Sequence, residues 1–354
     1  MSAARAVTSG QMTAAVLYGS ENLRIEQIAI PQLAPDEVLV RVKVALTDGT
    51  DLKVWRRGYH ARMLTPPALF GHELAGEIAA LGTEVRGFHV GDRVVPANSA
   101  PCMACFFCRK GQPNLCEDIV FNNGAYAEYI RIPGRIVRHN MLKIPDHVDY
   151  LDAALIEPLA CVLRGIDEMS IRAGDTAALI GCGPIGLTFV KMLAVRGVNV
   201  IALGKRTVQL QNAKRLGAAA VLDVTQLADP VAAVRDITEG GRGVDSVVEA
   251  AGVPEACAWA LKMVRKGGTV NWFAGCRTDA RVELEPAGMH YSEITLKSTF
   301  HHTPYFIREA LAAVERDDIR ASDFITGQSP LGELPRVFER MKSRNGELKT
   351  AVIP

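Results

Sequence analysis

Four cysteines lie close together in the first half of the chain, at a spacing suited to a metal ion. They are Cys102, Cys105, Cys108 and Cys116. Four thiolates on one loop favour tetrahedral zinc and leave no coordination position open, so such a site is structural. Four unrelated buried cysteines are one alternative. A nucleic-acid-binding zinc ribbon is another, although the flanking charge is limited to Arg109 and Lys110. We predict a structural zinc.

A glycine-rich turn in the second half is typical of dinucleotide binding. An apolar run at 177–180 precedes a G-x-G-x-x-G spacing, and a helical pattern follows. Such glycines allow a tight turn and close approach to a pyrophosphate, whose charge the helix N-terminus favours. A merely structural turn is the alternative. The residues assigned to the cofactor here and after a later strand are Gly181, Gly183, Pro184, Ile185, Gly186, Ala251 and Gly252.

The end of the next apolar run indicates which cofactor is bound. A carboxylate at this point normally binds a free ribose 2′-hydroxyl. Here the run ends at Gly204 and is followed by Lys205 and Arg206. Two cations can pair with a 2′-phosphate, so NADP is favoured over NAD. An ordinary solvated loop is the alternative.

The distribution of apolar residues predicts two domains. From Thr13 to about Ile156, short β-rich runs alternate with glycine, proline and aspartate, which predicts an irregular β-barrel. Later apolar runs joined by helical stretches predict a doubly wound parallel α/β unit. These runs are 176–180, 199–203, 219–222, 244–249 and 268–272. We expect a catalytic domain at 12–160 with a zinc lobe at 101–117, a cofactor domain at 161–297, and a segment at 298–354 that returns to the first domain.

Composition and charge further restrict the classes of partner and the location that we expect for this protein. The 354 residues carry 40 basic and 39 acidic side chains and a net charge of +1, so no field of one sign favours nucleic acid or an anionic membrane. We therefore expect a small-molecule partner. The absence of a long apolar run and the small, polar first eleven residues predict a cytoplasmic protein. The remaining cysteines, Cys161, Cys182, Cys257 and Cys276, are scattered and do not form a disulfide framework.

Three further segments carry metal-ligand residue types beside glycine or proline, at 48–51, 71–73 and 157–158. With them, the chain resembles the zinc-dependent medium-chain dehydrogenase/reductase (alcohol dehydrogenase) family over nearly its full length. The resemblance rests on the four-cysteine lobe, the Gly-His-Glu motif at Gly71, Gly91-Asp-Arg-Val94, Glu157-Pro158 and the Gly181 turn, in that order. It implies a GroES-like barrel, a Rossmann domain, and a homodimer or homotetramer.

The resemblance also implies a catalytic zinc. In the family it is held by a cysteine, by the histidine of the Gly-His-Glu motif and by a third ligand near the domain junction. His72 matches the histidine, and Glu157 matches the glutamate of polyol-type members, although a Glu-Pro pair can also simply cap a helix. Asp48 replaces the cysteine. Two interpretations stay open, an oxygen ligand or a lost metal. We favour the ligand, with a metal more easily exchanged for Mn, Co or Mg.

Neighbouring residues take roles that the resemblance implies. Glu73 is a direct or intermittent ligand, and Asp51 orients the histidine ring. Thr50 stands at the hydroxyl relay that accepts the substrate's proton. Lys53 replaces a relay histidine, with a plain surface role as the alternative. His301 lines the cleft beside the nicotinamide, with packing as the alternative.

By this resemblance the chain is an NAD(P)-linked alcohol dehydrogenase with two zinc ions per chain. It oxidises a secondary alcohol, polyol, sugar or cyclitol reversibly to the ketone, and is nearest the sorbitol, iditol, threonine and sugar dehydrogenase branches. A metal-free enone or quinone reductase is one alternative, but typical sequences of that class lack the cysteine lobe and the histidine. A non-catalytic zinc- and NADP-binding redox sensor or nucleic-acid-binding protein is the other alternative.

Overall fold

The computed structural model describes residues 9–343 and 346–354. These residues form two compact units. The first comprises the described residues up to Ala160 together with those from His302 onward, and the second is Cys161–His301. The prediction for the polar leader falls mostly outside the described residues, and the first strand begins at Gln11. In the described ranges, no helix is both long and apolar enough to cross a membrane.

The first unit begins with short antiparallel strands. They are β1 (Gln11–Gly19), β2 (Asn22–Ala29), β3 (Val38–Leu46), β4 (Ala68–Leu69), β5 (Glu73–Leu81), β6 (Arg93–Pro96), β7 (Ser99–Ala100), β8 (Val120–Phe121), β9 (Tyr129–Ile132) and β10 (Met141–Lys143). Helices lie between or after them. They are α1 (Gly49–Arg57), α2 (Phe106–Arg109), α3 (Gly134–Asn140), α4 (Tyr150–Ala153) and α5 (Ile156–Asp167). The last helix crosses into the second unit.

The second unit is a parallel sheet of six described strands. They are β11 (Thr176–Ile180), β12 (Asn199–Gly204), β13 (Ala220–Asp223), β14 (Val244–Glu249), β15 (Val264–Trp272) and β16 (Thr295–Ser298). Their order is β13-β12-β11-β14-β15-β16, the doubly wound order of dinucleotide-binding sheets. The connecting helices are α6 (Pro184–Val195), α7 (Thr207–Arg215), α8 (Pro230–Asp236), α9 (Pro254–Met263) and α10 (Pro286–Tyr291). The predicted α/β fold is confirmed.

After His302 the chain adds elements to the first unit. They are α11 (Pro304–Glu315), β17 (Ile325–Pro330), α12 (Leu334–Lys342) and β18 (Lys349–Ile353). Strand β18 pairs antiparallel with β3, so the returning segment completes the sheet that contains β3 and β5. The predicted β-rich first domain is confirmed. The strands form one three-stranded sheet, one seven-stranded sheet and the pair β7–β8 among the described residues.

An aromatic cluster in the first unit fixes the position of α1. Phe338 on α12 lies 5.7 Å from the ring of Trp55 on α1, 5.5 Å from Phe70 and 6.2 Å from Tyr126, measured between ring centroids. All four side chains are buried. Ring pairs at these separations add attraction beyond their buried area. The returning helix therefore holds the helix that begins beside Asp48.

The close contact of β3 with β5 depends on Gly76. A Cβ at this position would lie 2.2 Å from the Arg41 carbonyl oxygen and 2.8 Å from Val40 Cγ1. We predict that Gly76→Ala destabilises the protein by about 2 kcal/mol through overpacking, which corresponds to a Tm lower by about 5 °C. Gly332→Ala is the control, because no described heavy atom lies within 4 Å of a Cβ there. Calorimetry checks both, and equal Tm values would contradict the prediction.

Candidate active site

Asp48 lies at the N-terminus of α1, where its two carboxylate oxygens contact different groups. Its backbone is extended, with φ −141° and ψ 176°, and Oδ1 accepts a hydrogen bond from the Asp51 N–H at 2.7 Å. This is the geometry of a helix N-cap, which aspartate favours. The second oxygen, Oδ2, lies 3.9 Å from His72 Nε2. One oxygen therefore caps the helix while the other faces the imidazole.

The His72 ring is held by a buried carboxylate. Its Nδ1 lies 2.9 Å from Asp51 Oδ1, and the Tyr126 hydroxyl donates to Asp51 Oδ2. A carboxylate partner requires the proton on Nδ1, which leaves the lone pair of Nε2 as a ligand. Burial lowers the pKa of His72, but the charges of Asp51 and Asp48 outweigh it and hold the pKa well above its usual value. The predicted positioning role of Asp51 matches this geometry.

Glu73, next in the chain, pairs with a lysine from the returning segment. Lys349 Nζ donates to both carboxylate oxygens, at 2.6 and 2.8 Å, and lies 3.2 Å from the Thr47 carbonyl oxygen. Both side chains are buried. Burial raises the pKa of Glu73 to about 8, against the opposing effect of Lys349. Burial lowers the pKa of Lys349, but Glu73 and Asp48 more than reverse this, so the pKa is raised.

Glu157 reaches the same region from the first turn of α5. Its carboxylate is buried, which raises its pKa, with His72 acting in the opposite direction. His302 Nε2 lies 3.7 Å from Glu157 Oε1 and 3.0 Å from Asn98 Oδ1. One potential ligand group combines His72, Glu73 and Glu157, and another combines Asp48, Asp51 and His72. His72 belongs to both groups, so the predicted ligands surround its ring.

The donor set and its charge fit a divalent metal. Four carboxylates are buried here, and among the described residues Lys349 is the cation that pairs with one of them, while His72 must be neutral to bind a metal. Buried carboxylates cost several kcal/mol each unless they are compensated. A dication would supply the balance. Two tetrahedral ligands that each lie about 2.0–2.2 Å from zinc are separated by roughly 3.3–3.6 Å, so Asp48 Oδ2 and His72 Nε2, which lie 3.9 Å apart, would need only a small approach to bind one ion.

The four cysteines of the lobe converge as a closed metal site requires. Their sulfur atoms all lie within 4.8 Å of one another. The separations Cys102–Cys108 and Cys105–Cys116 are 4.0 and 3.9 Å, close to the roughly 3.8 Å between ligands in tetrahedral zinc thiolates. N–H groups of Cys108 and Glu117 lower the pKa of the Cys105 thiol to about 6. The thiolate is thus favoured at Cys105, whereas burial raises the pKa of Cys108 to about 12.

The glycine-rich turn joins β11 to α6 with little space to spare. Gly181 has φ 106°, and a Cβ there would lie 2.8 Å from Ala251 N. A Cβ on Gly186 would lie 1.9 Å from the Gly181 carbonyl oxygen. Gly183 is the N-cap of α6, and Pro184 opens the helix, with Ile185 in its first turn. The N–H groups that follow Pro184 therefore face a turn in which Gly181 and Gly183 lack side chains, as a pyrophosphate site requires.

The residues assigned to the ribose follow β12. Gly204 ends the strand, Lys205 is exposed, and Arg206 is the half-buried N-cap of α7. Asp223 is paired in register with Gly204 on the neighbouring strand, but its Oδ1 already accepts from the N–H and hydroxyl of Thr225. The cations are thus the charged groups that directly follow the strand.

Comparison with known proteins decides the family. Residues 34–146 match the alcohol dehydrogenase GroES-like domain, and residues 184–316 match the zinc-binding dehydrogenase family. The sorbitol dehydrogenase of Bacillus subtilis (strain 168) is 30% identical over 351 residues, which cover 97% of each protein. The chain belongs to the zinc-dependent medium-chain alcohol dehydrogenase family, in its polyol branch.

Two further relatives agree with this assignment. The D-arabinitol dehydrogenase 1 of Uromyces fabae is 31% identical over 352 residues, covering 97% of each protein. A zinc-binding dehydrogenase from Sinorhizobium meliloti 1021, solved bound to NADP, superposes with a TM-score of 0.87 at 30% identity. That match covers 98% of this chain and 100% of the other. The structure therefore combines the family's two domains over nearly the whole chain.

The remaining predicted residues lie on α1 and in the loops that follow β14 and β16. Thr50 is half-buried in the first turn of α1, and Lys53 is exposed one turn later. Ala251 and Gly252 donate their N–H groups to Glu249 Oε1, both at 2.7 Å. His301 has φ 69° and its ring stacks on Phe300, with centroids 5.5 Å apart. The roles of these residues and of the ligands stay predictions.

The sequence reasoning missed four residues of these sites. They are Tyr126, Glu249, His302 and Lys349. His302 had a signal, since it belongs to the Phe300–His302 segment from which only His301 was chosen. A lysine or tyrosine far along the chain carries no such signal, because only the fold brings it to a carboxylate.

The Glu73–Lys349 pair leads to a stability prediction. Lys349→Met leaves a buried carboxylate without its cation, which should destabilise the protein by about 3 kcal/mol. Lys349→Arg keeps the charge and should cost much less. Adding Glu73→Gln to Lys349→Met should recover part of the loss. Urea unfolding measures all three variants, and a Lys349→Met protein as stable as the parent would contradict a formed ion pair.

Proposed function

We propose that this chain is a zinc-dependent, NADP-linked dehydrogenase that reversibly oxidises a secondary alcohol of a polyol, sugar or cyclitol to the ketone. The observation that carries the proposal is the buried His72 imidazole, whose Nε2 faces the Asp48 carboxylate while Asp51 fixes Nδ1. Sorbitol and D-arabinitol dehydrogenases among the relatives support the polyol class.

We propose two zinc ions per chain. The cysteine lobe would hold the structural ion, and Asp48, His72 and Glu157 would hold the catalytic ion, with Glu73 as a direct or intermittent ligand. When bound, the catalytic ion polarises the carbon–oxygen bond of the substrate. The oxygen-rich set predicts easier exchange for manganese or cobalt than a thiolate set would allow.

In the proposed reaction, different side chains orient the His72 ring, transfer the proton and hold the cofactor. Asp51 and Tyr126 keep the His72 ring in one tautomer and orientation. The Thr50 hydroxyl takes the substrate's hydroxyl proton and passes it to water, past the exposed Lys53. The Gly181–Gly186 turn would hold the dinucleotide through its pyrophosphate, and His301 would line the cleft beside the nicotinamide. The bound dinucleotide would accept the hydride in alcohol oxidation and would supply it in ketone reduction.

The preference for NADP rests on Lys205 and Arg206 after Gly204, and the NADP-bound relative is consistent with it. We further propose a cytoplasmic enzyme that forms a homodimer or homotetramer.

The metal prediction separates ligation from helix capping. Elemental analysis of protein purified without chelator should find about two zinc ions per chain, and about one in Asp48→Ala. Asp48→Asn keeps an N-cap of similar strength but loses the charge, so it should fold normally and still lose zinc. Asp48→Cys should restore about two.

Activity is measured with the same proteins. Oxidation of sorbitol and D-arabinitol with NADP should be present in the parent and at least about a hundredfold lower in Asp48→Asn. One zinc ion per chain in the parent and in every variant would contradict the catalytic metal. Tight NADP binding without turnover of any alcohol in a broad panel would favour a non-catalytic sensor.

The cofactor prediction concerns the two cations after β12. Lys205→Ala and Arg206→Ala should each raise the Kd of NADP on the order of tenfold, because each removes a charge-assisted bond to the 2′-phosphate. The Kd of NAD should change little. Lys214→Ala, an exposed cation on α7, is the control. Titration calorimetry measures these affinities, and equal losses for NAD and NADP would refute the 2′-phosphate contact.

A further inference from the structure

Two cysteines that the sequence analysis left unassigned meet in the second unit. Cys257 is buried on α9, and Cys276 is half-buried in the loop that follows β15. Their sulfur atoms lie 3.9 Å apart. A disulfide has a sulfur–sulfur distance of about 2.05 Å, so the bond requires an approach of roughly 2 Å. Because Cys257 belongs to a helix, the loop is the part that would move.

A buried carboxylate lies beside this pair. Glu249 at the end of β14 is fully buried, and its Oε2 has no hydrogen-bond partner among the described residues. Burial raises the pKa of Cys257 to about 12, and the charge of the neighbouring Glu249 adds to this. Cys257 is therefore a poor nucleophile without a base. Cys276, which reaches solvent, is where an oxidant arrives first, and Glu249 is the base beside the second thiol.

The loop that contains Cys276 packs on the Ala251–Gly252 segment, which in turn packs on the dinucleotide turn. A Cβ on Gly252 would lie 2.9 Å from the carbonyl oxygen of Gly275, the residue before Cys276. Ala251, the residue before Gly252, lies against Gly181 of the turn. Glu249 also accepts from the N–H groups of Ala251 and Gly252. Because these contacts are close, a movement of Cys276 would be transmitted through Gly275 and Gly252 toward the Gly181 turn.

We propose that Cys257 and Cys276 form a modification site, a reversible disulfide that weakens binding of the dinucleotide. The inference rests on the proposed function in that the ligand is NADP. The oxidant class is a peroxide, and dithiols restore the reduced state.

The chemistry balances with one hydrogen peroxide. The Cys276 sulfur attacks the peroxide, the O–O bond breaks, and a sulfenic acid and one water form. The Cys257 sulfur then attacks the Cys276 sulfur, its proton passes to Glu249, and the S–O bond breaks. The leaving hydroxide takes that proton as the second water. Two thiols lose two electrons and the peroxide gains them.

The experiment compares the reduced, zinc-loaded protein before and after one equivalent of hydrogen peroxide. Peptide mass spectrometry should find a Cys257–Cys276 cross-link, and the Kd of NADP should rise about tenfold, a typical size for coupling between sites. Dithiothreitol should reverse both changes. Cys276→Ser should give no cross-link and an unchanged Kd after peroxide. Cys161→Ser, which removes a half-buried thiol outside the pair, should respond as the parent does.

Three results would overturn the proposal. The first is no cross-link in the parent protein, and the second is a cross-link with an unchanged Kd. The third is an equal rise of Kd in Cys276→Ser, which would assign the effect to oxidation elsewhere, such as the cysteine lobe. If the reduced parent binds no NADP at all, the proposed function fails. The mass spectrum then still reports independently whether the disulfide forms.

Discussion

The constraint on which the first unit depends is the burial of four carboxylates around one imidazole. Asp48, Asp51, Glu73 and Glu157 all lie in the interior, where an uncompensated charge is far more costly than at the surface. Separate groups compensate three of these carboxylates, Asp48, Asp51 and Glu73. Asp48 accepts a hydrogen bond from the Asp51 N–H at the N-terminus of α1. Asp51 accepts from the Tyr126 hydroxyl and lies against the His72 ring. Glu73 accepts from Lys349. The negative charge that remains is the reason that a dication fits.

These compensating groups come from distant parts of the chain. Lys349 opens the last strand and reaches Glu73 across a separation of 276 residues. Helix α12, just before it, packs Phe338 against Trp55 on α1. The returning segment therefore supplies both the cation of the site and the apolar surface that holds α1. The first unit therefore depends on both parts of the chain, because Glu73 and Trp55 lie before residue 160 while their partners Lys349 and Phe338 lie after residue 302.

Asp48 gives a physical reason for the departure from a cysteine ligand. A cysteine at this position offers a soft donor, whereas aspartate offers two oxygens and is among the preferred N-cap residues. One oxygen satisfies the Asp51 N–H and the other remains for the metal. In the proposed metal site, the same side chain would stabilise the helix and present a donor to the ion. An oxygen donor in place of a thiolate would make the site harder and its metal more exchangeable.

Sequence patterns predicted the elements whose burial repeats locally. The bounds of β11 and β14 are those expected from their apolar runs. Strand β16 was not predicted, because its Thr-Leu-Lys-Ser sequence is short and largely exposed at a sheet edge. The site residues divide in the same way, into those that a local sequence pattern predicts and those that it does not.

Residues beside glycines in short motifs, such as His72 and Asp48, could be named from sequence. Lys349 and the Cys257–Cys276 pair could not, because a lysine or a scattered cysteine resembles many others until the fold supplies its partner.

The most direct test of the buried metal site is a crystal structure with anomalous diffraction measured on both sides of the zinc absorption edge. Two anomalous peaks per chain are expected, one within the cysteine lobe and one about 2.0–2.1 Å from His72 Nε2 with a carboxylate oxygen of Asp48 or Glu157 beside it. A single peak in the cysteine lobe, from protein grown with zinc and never exposed to chelator, would contradict it.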